Sequence, residues 1–134
     1  RGKFLFLFDA NEAQKEIYLQ QSSTLQDRSM FLSAPKNSDA AAIFIRNDPV
    51  KNQQEIQALV KDGFLVRTRA DADLSATTES LREQRDAAFA SGAQFISSDF
   101  YKHSPQSTNR SYSVSFENDC LKRFNAVTHQ NLIN

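Results

Sequence analysis

The stretch Gly63-Phe64-Leu65-Val66-Arg67-Thr68-Arg69-Ala70-Asp71-Ala72-Asp73 decides how this chain is read. A glycine suited to a left-handed helix stop is followed at once by an apolar, β-branched run that ends in charge. Strand side chains repeat every two residues, so Leu65, Arg67 and Arg69 share one face and Phe64, Val66 and Thr68 the other. If the second face packs on helices, both arginines point toward a common mouth at the strand's C-terminal end.

Immediately upstream, Asp48-Pro49 reads as an N-cap with proline in the first helical position. Ile56, Leu59 and Val60 mark the buried stripe of that helix, and Gly63 ends it. Downstream, a helix over residues 77–90 closes at Gly92 by the same logic, and residues 94–98 form the next strand. Toward the N-terminus, residues 3–8 form a continuously apolar run, as in a strand covered on both faces, and Asp9 ends it. A helix over residues 12–21 and an apolar run at residues 30–32 follow. Residues 41–46 read equally as a short extra strand or as the lead into a helix.

Strands alternating with helices imply parallel strands joined by right-handed crossovers, an α/β class. Four such strands leave two open sheet edges, whereas closing a barrel takes about eight. The expected architecture is therefore one half of a (β/α)8 barrel over residues 1–101, with a tail over residues 102–134 packing on it. In that tail, residues 102–110 read as a polar loop and residues 111–116 as an alternating segment that wraps the barrel or adds an edge strand. The chain starts without Met, and Arg1 is read as an internal cut.

Composition narrows the function classes. Sixteen basic residues balance sixteen acidic ones, so no net field draws nucleic acid. No apolar run approaches the ~20 residues of a membrane-spanning helix. A single cysteine, Cys120, excludes an internal disulfide framework and a multi-thiolate metal site, and reads as a free or packed thiol, structural rather than reactive. His103 and His129 fall in polar sequence after the last strand, a poor place to hold a general base. Asn109-Arg110-Ser111 matches an N-glycosylation acceptor.

Chemistry in parallel barrels gathers at the C-terminal strand ends. Those ends are polar here: Asp9, Arg46-Asn47-Asp48, Arg67 through Asp73, and Ser97-Ser98-Asp99. The planar forks of Arg67 and Arg69 suit a phosphate. Equally, they could pair structurally with Asp71, Asp73 or Asp99. Asp71 and Asp73 form a D-x-D that offers oxygen to a hard cation, although Ca²⁺ takes about six to eight oxygens, more than this loop supplies. Asp48 reads as a helix cap and Asn47 as a turn residue.

The runs Arg67-Thr68-Arg69-Ala70-Asp71-Ala72-Asp73 and Gly92-Ala93-Gln94-Phe95-Ile96-Ser97-Ser98-Asp99-Phe100-Tyr101, with Gly2 through Asp9, Arg46 through Pro49 and the tail through Val127, resemble the bacterial and fungal Ca²⁺-dependent phosphoinositide phospholipases C. The resemblance implies attack of an inositol 2-hydroxyl on phosphorus, assisted by two histidines and a Ca²⁺ held by Asn, Glu and Asp. It places those groups in the first half of the barrel, so none is carried onto this chain. It leaves Arg67, Arg69, Asp71 and Asp99 as candidate contacts to a phospholipid or inositol-phosphate headgroup, with the remaining half of the barrel as partner and a secreted or cell-surface location. Alone, this half is expected to be inactive. Relatives of this type carry Cys-Asn-Pro where Phe124-Asn125-Ala126 stands, so any tail pairing they share is altered here. The alternatives are a non-catalytic barrel with a structural or interaction role and a glycerophosphodiester phosphodiesterase.

Overall fold

The structure, a computed structural model, describes residues 4–20, 22–71, 74–125 and 127–129. The chain is a mixed α/β fold with parallel strand pairing, divided into two compact units, residues 1–45 and 46–134.

In the first unit, β1 (Leu7–Phe8) pairs in parallel with β2 (Phe31–Leu32), and α1 (Glu12–Leu19) crosses between them. α1 starts at a capping box: the Asn11 side chain accepts from the Gln14 N–H, and the Gln14 side chain accepts from the Asn11 N–H, each at 3.0 Å. The Tyr18 hydroxyl donates to the Met30 carbonyl at 3.1 Å and accepts from the Met30 N–H at 3.0 Å, anchoring the helix to the lead into β2. Leu32, Ala34 and Ala40 form the small core.

The strand expected over residues 3–8 is shorter and less covered. Among the described residues the strand is Leu7–Phe8, and Phe4 and Phe6 are 88% and 58% exposed. Residues 1–3 lie outside the described residues. The ambiguous run at 41–46 contains a strand, β3 (Ile43–Ile45), so the extra strand left open by the sequence is present, and the described residues form five strands. Ile43 and Phe44 are buried, and apolar β-branched and aromatic side chains suit a pleated surface. Ser33 and Ile43 bridge in parallel, and the segment between them turns at Pro35 and Ser38 rather than forming a helix.

The second unit follows the sequence reading more closely. α2 (Pro49–Lys61) is capped by Asp48, whose carboxylate accepts from the Lys51 N–H at 3.1 Å. At its end Gly63 takes φ +90°, a left-handed conformation, and the Phe64 N–H returns to the Leu59 carbonyl at 3.0 Å. β4 (Leu65–Arg69) then pairs in parallel with β5 (Phe95–Ser97) across α3 (Thr78–Ala90), with Arg67 opposite Phe95 and Arg69 opposite Ser97. The expected alternation holds: Val66 and Thr68 are fully buried, while Leu65, Arg67 and Arg69 are half-buried on the opposite face. Ile56, Leu59, Val60, Val66, Leu81 and Ala88 supply the buried apolar side chains, each large aliphatic contributing about 1.5–3 kcal/mol.

The tail differs from expectation. The polar stretch 102–110 contains a helix, α4 (Pro105–Arg110). Ser104 caps it by accepting from the Ser107 N–H at 3.0 Å, and Pro105 fixes the first helical φ. Among the described residues 111–116 form no strand. They lie instead over α3 and the start of the tail: the Tyr112 hydroxyl donates to the Leu81 carbonyl at 3.1 Å, and the Val114 N–H to the Phe100 carbonyl at 2.8 Å. Leu81, Phe100 and Tyr112 make a second small core. Cys120 is a free thiol and exposed, so of the two expected states, free or packed, it takes the first.

Candidate functional site

Three polar strand ends converge in the second unit: residues 46–48, the end of β4 and the end of β5. Main-chain hydrogen bonds set their register, with the Arg46 N–H donating to the Arg67 carbonyl and the Ala70 N–H to the Ser97 carbonyl, each at 2.9 Å. The buried Thr68 hydroxyl donates to the Arg46 carbonyl at 2.6 Å from the core side of the strand. The side chains on the other face are thereby held at fixed height along the rim.

The two arginines have opposite surroundings. Arg67 donates from one guanidinium nitrogen to Asn47 Oδ1 at 2.6 Å and from the other to Ser97 Oγ at 2.7 Å. Both partners are neutral, and among the described residues no carboxylate pairs with Arg67. Arg69 is pinned by charge. Its Nε donates to the Asp71 carbonyl at 2.8 Å, and its terminal nitrogen lies 2.7 Å from Asp99 Oδ2 and 3.7 Å from Asp71 Oδ1. Of the two readings left open by the sequence, ion pairing describes Arg69 and a neutral cradle describes Arg67.

Asp71 is the hub of this cluster. Its side chain is 1% exposed, and its Oδ1 accepts the Asp99 N–H at 3.0 Å. Its Oδ2 is buried and has no hydrogen-bond partner among the described residues. Asp99 is half exposed and closes the ion pair from β5's side. Asp73 lies outside the described residues.

Ca²⁺ does not fit the described part of this rim. Among the described residues no group of three or more His, Cys, Asp or Glu side chains is placed to hold an ion. Asp71 and Asp99 are moreover bridged by the Arg69 guanidinium, which occupies the space a cation would need.

Two contributors escaped the sequence reading. Asn47, read as a turn residue, and Ser97 are the direct partners of Arg67. Both lie in the strand-end runs already singled out, but their meeting depends on pairing between distant segments. His103 sits in a left-handed turn, and His129 stacks on Phe124 at 4.5 Å.

Behind β5, a cavity of about 410 Å³ is lined by Phe89, Ile96, Val114 and Phe116 together with Leu121 and Phe124. The Arg123 guanidinium stacks over the Phe89 and Phe116 rings, at 5.1 and 4.7 Å, and holds the tail beside it.

The family model described as phosphoinositide phospholipase C, Ca²⁺-dependent, matches residues 1–126. The chain belongs to this family. Membership carries Ca²⁺-dependent phospholipase C chemistry and a phosphoinositide lipid as the implied substrate class. No curated protein and no solved structure matches the chain closely enough to compare. No helix among the described residues is long and apolar enough to cross a membrane.

Proposed function

We propose that this chain is the substrate-binding second half of a (β/α)8 phospholipase C, in which Arg67, with Arg69, Asp71 and Asp99 around it, faces the headgroup of a phosphoinositide. The observation that carries the reading is the Arg67 guanidinium, cradled by Asn47 and Ser97 and matched by no carboxylate among the described residues. A planar fork held by neutral oxygens keeps its full charge for a phosphodiester.

Two further features support the barrel. Each described pairing, β1 with β2, Ser33 with Ile43 and β4 with β5, joins parallel segments consecutive along the chain, as singly wound barrels do. On the arginine-bearing face, Phe95 is 42% exposed, an apolar side chain that a closed barrel interior would cover. The register also turns the Ile96 main-chain groups away from β4, so β5 offers a free edge to another strand. In this reading residues 1–101 supply the barrel half and 102–134 the tail over its outer side. The remaining half brings the histidines and the Ca²⁺ ligands. The exposed Asn109 in its acceptor sequence accords with a secreted or cell-surface enzyme.

The test is turnover by the whole enzyme of phosphatidylinositol and of glycerophosphocholine, with Ca²⁺ and with chelator. Ca²⁺-dependent release of inositol phosphate from phosphatidylinositol is expected. Preferential turnover of glycerophosphocholine would move the assignment to glycerophosphodiesters, and turnover of neither would leave a non-catalytic barrel.

A further inference from the structure

Resting on that reading of the rim, we infer that Asp99 is a specificity-determining residue: by occupying Arg69 it leaves the rim one free guanidinium and so selects headgroups with a single phosphate, phosphatidylinositol over its ring-phosphorylated forms. Arg67 and Arg69 lie two residues apart on the same face of β4, so both forks serve the same mouth. Of the two, only Arg67 has no carboxylate partner among the described residues. Arg69 sits between two carboxylates, 2.7 Å from Asp99 and 3.7 Å from Asp71, and this three-residue group carries a net charge of −1 by one cation against two anions. A second phosphate arriving at Arg69 would have to displace Asp99 and would meet the buried Asp71 charge behind it. A hydroxyl in the same place meets carboxylate oxygens that can accept its proton. The rim therefore rewards one phosphate beside hydroxyls and penalises two phosphates.

Asp71 acts as a positioning residue in this arrangement. Its Oδ1 holds the Asp99 N–H at 3.0 Å and its carbonyl holds Arg69 Nε at 2.8 Å, fixing both members of the pair.

The experiment measures binding of the whole enzyme to phosphatidylcholine vesicles carrying a minor fraction of either phosphatidylinositol or phosphatidylinositol 4-phosphate, and reports the ratio of the two affinities. The unaltered protein is expected to prefer phosphatidylinositol. Asp99→Asn is expected to shift the ratio toward the phosphorylated lipid by about tenfold, as uncovering a buried-side cation does. Asp86→Asn removes the same charge from an exposed helix position and is expected to leave the ratio in place, which separates local selection from a general gain in attraction to anionic membranes. Asp71→Asn should act as Asp99→Asn does if it folds by circular dichroism. If it does not, the half-exposed Asp99 alone decides. An unchanged ratio in Asp99→Asn, an equal shift in Asp86→Asn, or a preference of the unaltered protein for the phosphorylated lipid each overturns the inference while the function stands. Binding to neither vesicle overturns the functional reading and the inference with it.

Discussion

The Asp99 N–H donates to Oδ1 of Asp71 at 3.0 Å, joining the loop after β5 to the loop after β4 through a carboxylate that is 1% exposed. Because Oδ2 of the same group has no partner among the described residues, this carboxylate bears part of its desolvation cost and depends on the donors it retains.

Asp71→Ala removes the acceptor and leaves the part-buried Asp99 N–H and the Arg69 guanidinium short of a partner. A loss of roughly 3 kcal/mol is expected, read as a lower midpoint in urea unfolding. Asp99→Ala, at the half-exposed end of the same network, should cost about 1 kcal/mol or less. Equal losses at the two positions would count against the buried carboxylate as the hub.

Arg67→Ala should weaken binding of phosphatidylinositol-containing vesicles by about tenfold to a hundredfold, the worth of charge-assisted hydrogen bonds to a phosphate. Arg67→Lys keeps the charge but cannot contact Asn47, Ser97 and the ligand as one rigid fork, so it should recover only part of the loss. Titration with vesicles of increasing phosphatidylinositol content measures both. Full recovery by lysine would show that a point charge suffices there.

Asp48 supplies a pH-dependent term. Hydrogen bonds from the Lys51 backbone, and then from its side chain, hold the Asp48 carboxyl below its ordinary value of 3.8. The folded group thus releases its proton more readily than the unfolded one. Its contribution is fully present above the unfolded value and is lost as the pH falls through the folded value. Asp48→Ala should cost about 1 kcal/mol at neutral pH, as loss of an N-cap does. Urea unfolding of the two proteins should converge below that window, and a gap that stays constant into acid would mean the carboxylate charge is not what stabilises α2.

Much of the second unit was legible because its signals are local. The cap at Asp48, stops at Gly63 and Gly92, and the period-two pattern from Leu65 to Arg69 each depend on residues a few positions apart. β3 was not legible, since three apolar residues carry no periodicity that separates strand from helix. α4 escaped because Pro-Gln-Ser-Thr-Asn-Arg has no apolar stripe and is held by Ser104 and by Arg110, which donates to the Leu74 and Ala76 carbonyls. The alternation placed Arg67 and Arg69 on one face, but their different chemistry was hidden. It is set by Asn47, Ser97 and Asp99, which arrive from elsewhere in the chain and only once the strand ends have assembled.

Gly63 and Gly92, both at positive φ, separate backbone strain from steric contact. Gly63 at φ +90° has open space where a Cβ would stand, so Gly63→Ala meets only the left-handed backbone and should cost about 1 kcal/mol. Gly92 at φ +77° combines the same strain with a Cβ position that overlaps the Val127 side chain and approaches Asn125 Oδ1 at 3.3 Å. Asn125 is the residue that fastens the tail: its side-chain amide donates to the Gly92 carbonyl at 2.6 Å while its Oδ1 accepts the Val127 N–H at 2.9 Å. Gly92→Ala should therefore cost more than Gly63→Ala and also free the tail, with faster tryptic cleavage at Lys122 and Arg123 under native conditions. Asn125→Ala, which leaves the backbone unstrained, should reproduce the faster cleavage with a smaller loss of stability. Cleavage at an unchanged rate in both variants would show that the Gly92–Asn125 clasp is not what holds the tail in place.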